Sequence, residues 1–124
     1  MQQVNFYQRH ALHDIAATRR IEHKAQLALP PHTLMARAGL AVARLALALT
    51  PHAQRIWVAA GPGNNGGDGL EAAMHLQHWG KNPVVTWLGA PETASRDTKI
   101  SYLKAIDAGV SFVEAPPERY DLCI

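Results

Sequence analysis

The residues with the clearest chemical character are nine consecutive ones, Gly-Pro-Gly-Asn-Asn-Gly-Gly-Asp-Gly, at positions 61–69. The five glycines of this segment allow positive φ angles and a close approach of the backbone to a ligand. The segment follows an apolar run at 56–60 and precedes an apolar periodic stretch from Leu70, an order typical of strand, turn and helix. Free amides at a helix N-terminus favour a phosphate, and the asparagines and aspartate add acceptors. We therefore predict a site for a polar ligand, with a cation as a further candidate.

Two known phosphate-binding motifs compete with this interpretation. Gly61, Gly63 and Gly66 match the dinucleotide-binding pattern GxGxxG, which also needs an acidic residue about 20 residues further on, at the end of the second strand. The next carboxylate after that strand is Glu92, which comes too late and follows a glycine, and this argues against ordinary NAD binding. A Walker A loop needs a lysine where Asp68 stands, so that motif is excluded. The remaining alternative is a glycine turn without a ligand, for which asparagine and aspartate are poor choices.

Predicted strands and helices alternate around this segment. Apolar and β-branched runs predict strands at 55–60, 83–88, 110–113 and 120–124. Helical spacing of apolar residues predicts helices at 10–29, 34–49 with Thr33 as N-cap, 70–79 and 95–108. This alternation predicts a Rossmann-like, three-layer α/β/α fold with a parallel sheet and two leading helices. A strand order of 3-2-1-4 would place the ligand crevice beyond the carboxyl ends of the first and fourth strands.

Composition and charge argue against several classes of partner. The formal charge of +2 on 124 residues is too small to predict nucleic-acid binding. Residues 1–60 carry +5 and residues 61–124 carry −3, a pattern that favours a solvated helix face over attraction of an anionic ligand. The longest apolar stretch, 40–49, contains Arg44 and is shorter than the ~20 residues of a membrane span. A single cysteine, Cys123, and a start without an apolar signal region predict a cytoplasmic protein.

Other residues with chemical capacity are interpreted as structural. His75 and His78 lie three residues apart on a predicted helix, near enough to share a metal ion, but no third ligand has a suitable spacing. We therefore expect two surface or hydrogen-bonded histidines there. The three tryptophans are expected to pack in the core: Trp57, Trp79 and Trp87.

The segment from Gly61 to Leu70 resembles the signature of the YjeF N-terminal domain family, the NAD(P)H-hydrate epimerases, related to apolipoprotein A-I-binding protein. Residues 34–39, Leu-Met-Ala-Arg-Ala-Gly, are similar to the family's Leu-Met-Glu-x-Ala-Gly, with Ala36 where the family usually has glutamate. Residues 120–124, Tyr-Asp-Leu-Cys-Ile, resemble its Tyr-Asp-Leu-Ile-Val strand. The resemblance implies that residues 1–124 are the N-terminal part of a family domain, a little over half of it.

The resemblance also implies a ligand and its contacts. In the family, the asparagine-containing segment contacts the hydrated nicotinamide nucleotide, which carries over to Asn64, Asn65, Gly66, Gly67 and Asp68. Asn65 corresponds to a ligand of a potassium ion, and the family's other potassium ligands and second substrate loop would follow Ile124. The implied reaction interconverts the R- and S-forms of hydrated NADH and NADPH, so that a separate dehydratase can restore the cofactor.

Inversion of the hydrated carbon requires a positioned acid or base, and Asp68 is the titratable group of the segment. Asp68 is therefore the catalytic candidate, although it could instead cap the helix or orient the asparagines. The alternative function is a non-catalytic nucleotide-binding or scaffold module of the same fold. Besides the nucleotide, the expected partners are a dehydratase domain or protein and a second copy of the chain, paired through the edge of the fourth strand.

Overall fold

The computed structural model describes Tyr7 and residues 9–124 and divides the chain into two units, Met1–Pro30 and Pro31–Ile124. The first unit contains helix α1 (Ile15–Leu27). Its N-cap is Asp14, whose carboxylate accepts a hydrogen bond from the backbone N–H of Ala17 at 2.6 Å. The predicted helix began at residue 10, and the aspartate explains the later start because it satisfies an amide that has no intrahelical acceptor.

The second unit contains the remaining elements in alternation. They are α2 (Thr33–Leu49), β1 (Arg55–Ala60), α3 (Asn64–His78), β2 (Asn82–Trp87), α4 (Arg96–Asp107), β3 (Ser111–Phe112) and β4 (Leu122–Cys123). The strands pair in parallel in the order β3-β2-β1-β4. The predicted α/β fold, its parallel sheet and its strand order are therefore confirmed. None of the helices in residues 9–124 is long and apolar enough to cross a membrane.

The core lies between the sheet and α3, which packs against β1 and β2. In β1, burial alternates along the strand, and Ile56, Val58 and Ala60 are almost fully buried on one face. Leu70 and Leu76 of α3 are fully buried in the same core. Helices α2 and α4 both pack against α3. Because α3 contacts the sheet and both neighbouring helices, its position fixes the geometry of the unit.

Helix α3 begins at Asn64, six residues before the predicted start at Leu70. Gly63 is its extended N-cap residue, and the N–H of Gly67 donates to the carbonyl of Gly63 at 3.2 Å. Asparagine and glycine have poor helix propensity, which is why the sequence predicted a loop here. Tertiary packing of the first turn overrides that propensity. The loop between β1 and α3 is thus only three residues long, 61–63.

The ends of α3 and α4 carry common helix-end residues. Gly80 and Gly109 adopt φ angles of +75° and +80° directly after the C-caps of α3 and α4. Ser95 is the N-cap of α4, with its hydroxyl oxygen accepting from the N–H of Thr98 at 3.2 Å. The N-cap of α2 is His32, which has a φ of 67°, and this is one residue before the predicted N-cap, Thr33.

Candidate functional site

A cavity of about 220 Å³ lies where β1 and β4 end at the sheet's carboxyl edge. Ala59 and Ala60 line it from β1, and Ile124 lines it from the end of β4. The N–H of Ala59 donates to the carbonyl of Ile124 at 2.9 Å, which holds the two strand ends together. Asn65 and Asp68 of α3 complete the polar side of the cavity. This is where the strand order placed the ligand crevice.

The five residues of the predicted binding segment fall into three groups. Asn65 and Asp68 lie three positions apart on α3, so they share one face of the helix, and both line the cavity. Asn64 is exposed and turns toward the start of α4, where the Ser95 hydroxyl donates to its side-chain oxygen at 2.9 Å. Gly66 and Gly67 are buried within the packing of the helix start. The structure therefore brings Asn65 and Asp68 together and separates Asn64 from them.

The two buried glycines permit contacts that no other residue allows. A Cβ atom at Gly66 would lie 1.9 Å from the carbonyl oxygen of Gly61. A Cβ atom at Gly67 would lie 2.6 Å from the Met35 side chain and 2.7 Å from the Thr98 hydroxyl oxygen. The glycines of the motif thus let the first turn of α3 pack directly against the loop after β1, against α2 and against α4. The first-turn amides remain without intrahelical acceptors and face the sheet edge as potential donors.

A tryptophan fixes the loop that precedes α3. The indole Nε1–H of Trp87 donates to the carbonyl of Gly61 at 3.1 Å. Its ring packs against Tyr102 with centroids 4.9 Å apart, as expected for a core residue. The prediction of a core position was wrong for Trp79, which is 41% exposed and stacks on His75. The hydrogen bond of Trp87 was not predicted, since the loop length that brings Gly61 to the indole was not known.

Comparison with known proteins identifies the family. A family model described as YjeF-related protein N-terminus matches residues 31–123. The chain belongs to this family. An NAD(P)H-hydrate epimerase of Fusarium vanettenii is 46% identical over 84 residues, which cover 65% of this chain and 34% of the relative. A bifunctional NAD(P)H-hydrate repair enzyme Nnr of Thermofilum pendens is 41% identical over 86 residues, which cover 69% of this chain and 16% of the relative.

The fold of this YjeF-related chain also has a solved counterpart. The crystal structure of yeast ynu0, YNL200c, superimposes with a TM-score of 0.60 at 27% sequence identity. The superposition covers 77% of this chain and 45% of the yeast chain. The chain spans less than half the length of the yeast chain and of the two curated relatives.

A buried ionic network, which the sequence did not predict, links α3 to α2 and α4 in the YjeF-related unit. The Glu71 side chain is fully buried and accepts hydrogen bonds from the Lys104 ammonium, from the Ser101 hydroxyl at 3.1 Å and from His32 Nε2 at 3.1 Å. Burial by itself raises the pKa of Glu71, but these hydrogen bonds and the charge of Lys104 together bring the pKa below its ordinary value. Glu71 is therefore a buried carboxylate in its charged form.

The network joins three helices and is separate from the cavity. His32 is at the start of α2, Glu71 is in α3, and Ser101 and Lys104 are in α4. None of these four residues lines the cavity that contains Asn65 and Asp68. The sequence signal that could have indicated Glu71 is its position directly after Leu70, as a charged residue within an apolar stretch. Its partners come from other helices, so the sequence alone could not identify them.

The two histidines of α3 have different surroundings. His75 lies 4.0 Å from the Glu71 carboxylate, and burial lowers the pKa of His75 despite the attraction of that carboxylate. His78 is exposed. Among Tyr7 and residues 9–124, no three His, Cys, Asp or Glu side chains are grouped closely enough to hold a metal ion.

A larger, shallow groove of about 640 Å³ lies at the opposite, amino end of the strands. It is lined by Arg55 and by residues 118–121. Its Asp121 carboxylate accepts hydrogen bonds from the backbone N–H groups of Gln54 and Arg55, both at 2.8 Å. These backbone hydrogen bonds lower the pKa of Asp121. In this groove Asp121 therefore attaches the start of β4 to β1, which is a structural role. The smaller cavity at the carboxyl ends of the strands remains the candidate site.

Proposed function

We propose that this chain supplies the nucleotide-binding part of an NAD(P)H-hydrate epimerase, which interconverts the R- and S-forms of hydrated NADH and NADPH. The observation that carries the proposal is the cavity at the carboxyl ends of β1 and β4, in which Asn65 and Asp68 stand together beside the α3 N-terminus. The names of the Fusarium and Thermofilum relatives support it. We also propose that residues 1–124 form the N-terminal part of a family domain.

The helix start would bind the anionic part of the nucleotide. The amides of residues 64–66 point out of the first turn of α3, and the helix dipole favours a phosphate there. The apolar side of the cavity, formed by Ala59 and Ala60 with Ile124, would take the nicotinamide ring. Binding in this orientation would bring the hydrated carbon next to the polar side of the cavity.

Asp68 would act as the acid–base group. Epimerisation requires either reversible proton transfer or reversible loss of the hydroxyl group, and each route needs a group that gives a proton and takes it back. The Asp68 carboxyl is half-buried and lines the cavity, so it can reach a bound ring. Asn65, on the same face of α3, would orient the substrate by hydrogen bonds.

A potassium ion fits the donors that the cavity offers. Asn65 and Asp68 both line the cavity, and their side chains carry oxygen atoms that can act as donors to such an ion. Asn65 would hold the ion, and the ion would supply positive charge for the anionic groups of the nucleotide. A dehydratase domain or protein would act after the epimerase and restore the cofactor. The name of the Thermofilum relative, a bifunctional repair enzyme, supports this partner.

The test is epimer interconversion followed by chromatography. The R-form of hydrated NADH is incubated with the purified chain and potassium, beside Asp68→Asn and the control Asp107→Asn, which changes an exposed carboxylate on α4. We expect a rate above the spontaneous one, lost in Asp68→Asn and kept in Asp107→Asn. A spontaneous rate together with a nucleotide-dependent rise in Tm would support the non-catalytic binding module. If the chain shows neither a rate above the spontaneous one nor a nucleotide-dependent rise in Tm, the proposal is refuted.

A further inference from the structure

A side-chain hydrogen bond connects the N-termini of α3 and α4 beside the candidate site. Asn64 is the first residue of α3, and Ser95 is the N-cap of α4 at the end of the loop that follows β2. The Ser95 hydroxyl lies 2.9 Å from the Asn64 side-chain oxygen, although the two residues are 31 positions apart. The contact therefore depends on the tertiary fold and connects the loop after β2 to the binding segment.

The hydrogen-bonding capacity of Ser95 fixes the direction of this contact. A serine hydroxyl has one proton to donate and two acceptor positions. Its oxygen accepts from the backbone N–H of Thr98 at 3.2 Å and lies 3.0 Å from the Thr98 hydroxyl. The Asn64 oxygen can only accept, so the Ser95 proton goes to Asn64 and the Thr98 hydroxyl donates to Ser95. The result is a relay in which Thr98 donates to Ser95 and Ser95 donates to Asn64.

Thr98, the first donor of the relay, is held in place because it is fully buried. A buried hydroxyl requires a hydrogen-bond partner, and Ser95 is the partner that its geometry provides. Thr98 reaches this position because Gly67 has no side chain, since a Cβ atom there would lie 2.7 Å from the Thr98 oxygen. Gly67 of the binding segment thus makes room for the residue that anchors the relay.

We infer that Ser95 is a positioning residue of the site, which holds the side-chain amide of Asn64 with its oxygen toward Ser95 and so leaves its NH₂ group as the donor for a ligand at the α3 N-terminus. The inference rests on the proposed function, because it assumes that a nucleotide binds at the α3 N-terminus. The NH₂ group adds two donors beside the first-turn amides, and such donors suit the phosphate oxygens of a nucleotide. Without Ser95, the Asn64 amide could rotate and present its oxygen, an acceptor, to the same phosphate.

Three substitutions of Ser95 separate this role from capping of α4. Ser95→Thr keeps both the cap and the donor. Ser95→Asp keeps the cap, since aspartate is as good an N-cap as serine, but it has no proton to donate and attracts the Asn64 NH₂ group instead. Ser95→Ala removes both. We expect Ser95→Asp to keep the wild-type Tm within a few degrees and to raise the KM for hydrated NADH roughly 5- to 10-fold, with little change in kcat. Ser95→Thr should stay within about twofold of wild type.

A double-mutant cycle controls for the charge that Ser95→Asp introduces near a phosphate. If Ser95 acts through Asn64, the rise in KM disappears in the Asn64→Ala background. A spectroscopic readout needs no ligand: the side-chain amide resonances of Asn64 should shift in Ser95→Asp and stay in place in Ser95→Thr. Unshifted resonances, or an equal rise in KM with and without Asn64, overturn the inference. If the wild-type chain binds no hydrated nucleotide, the proposed function fails, while the resonances still decide whether Ser95 orients Asn64.

Discussion

The carboxylate of Glu71 is fully buried and is paired with the ammonium group of Lys104, whose side chain is 38% exposed. The pair connects the middle of α3 to the last turn of α4, and His32 extends it to the start of α2. A buried carboxylate is costly unless its charge and its lone pairs are satisfied. The network therefore makes the assembly of α2, α3 and α4 depend on a single charged group.

Removal of the lysine tests that dependence. Lys104→Met should lower the free energy of unfolding by about 2 kcal/mol, less than the ~3–5 kcal/mol of fully buried pairs because the exposed lysine is partly screened. The control is Lys99→Met on the same helix, which should change stability by less than about 0.5 kcal/mol. Urea unfolding measures both. In the double variant Glu71→Leu/Lys104→Met, much of the loss should be recovered, and an additive loss would contradict the argument.

The lowered pKa of Glu71 predicts how stability depends on pH. Since the folded-state pKa is below the unfolded value of about 4.3, the unfolded chain binds more protons in acid. The stabilisation is fully present above the unfolded pKa and is lost as pH falls through the folded pKa. Urea unfolding between pH 6 and pH 3 should show this loss, with a shallower slope in Glu71→Gln than in wild type. Asp107→Asn, which changes an exposed carboxylate on α4, is the control variant.

The glycines that begin α3 provide a matched pair of substitutions. Gly66→Ala places a Cβ atom 1.9 Å from the Gly61 carbonyl oxygen, whereas a Cβ atom at Gly63 meets no atom within 4 Å. We expect Gly66→Ala to lower the free energy of unfolding by about 3 kcal/mol, since backbone must move to relieve the overlap. Gly63→Ala should cost less than about 1 kcal/mol, mainly as a weaker N-cap. Thermal unfolding distinguishes them, and similar costs would show that the helix start adapts.

The sequence predicted those elements whose patterns are local. β1 was predicted with its observed limits, and α4 to within one residue at each end, because an apolar run and a helical spacing of apolar residues are sufficient signals. The strand order followed from general rules of parallel sheets. The start of α3 was missed because its helical turn depends on contacts of Gly66 with the preceding loop and of Gly67 with α2 and α4. Glu71 was missed for the same reason, since its partners come from α2 and α4.

The hydrogen bond from Trp87 to Gly61 allows a final prediction with a control in the same sheet. Trp87→Phe keeps the aromatic packing but loses the Nε1 donor to the Gly61 carbonyl, 3.1 Å away. Trp57→Phe loses an equally long bond, from its Nε1 to the Thr86 hydroxyl. The two side chains lie on opposite faces of the sheet. Trp57 pairs with Val84 of β2 and shares its face, whereas Trp87 is three residues further along β2 and so points to the other face.

Each of these two substitutions should lower the free energy of unfolding by about 1 kcal/mol, the usual contribution of one hydrogen bond. Only Trp87→Phe should loosen the loop that positions α3, because only its bond reaches residue 61. The N–H of Gly67 donates to the carbonyl of Gly63, so its amide hydrogen exchange should be faster in Trp87→Phe and unchanged in Trp57→Phe. Equal exchange at this amide in both variants would mean that the packing of Gly66 against Gly61 is sufficient to hold the loop, and that the indole bond contributes only to global stability.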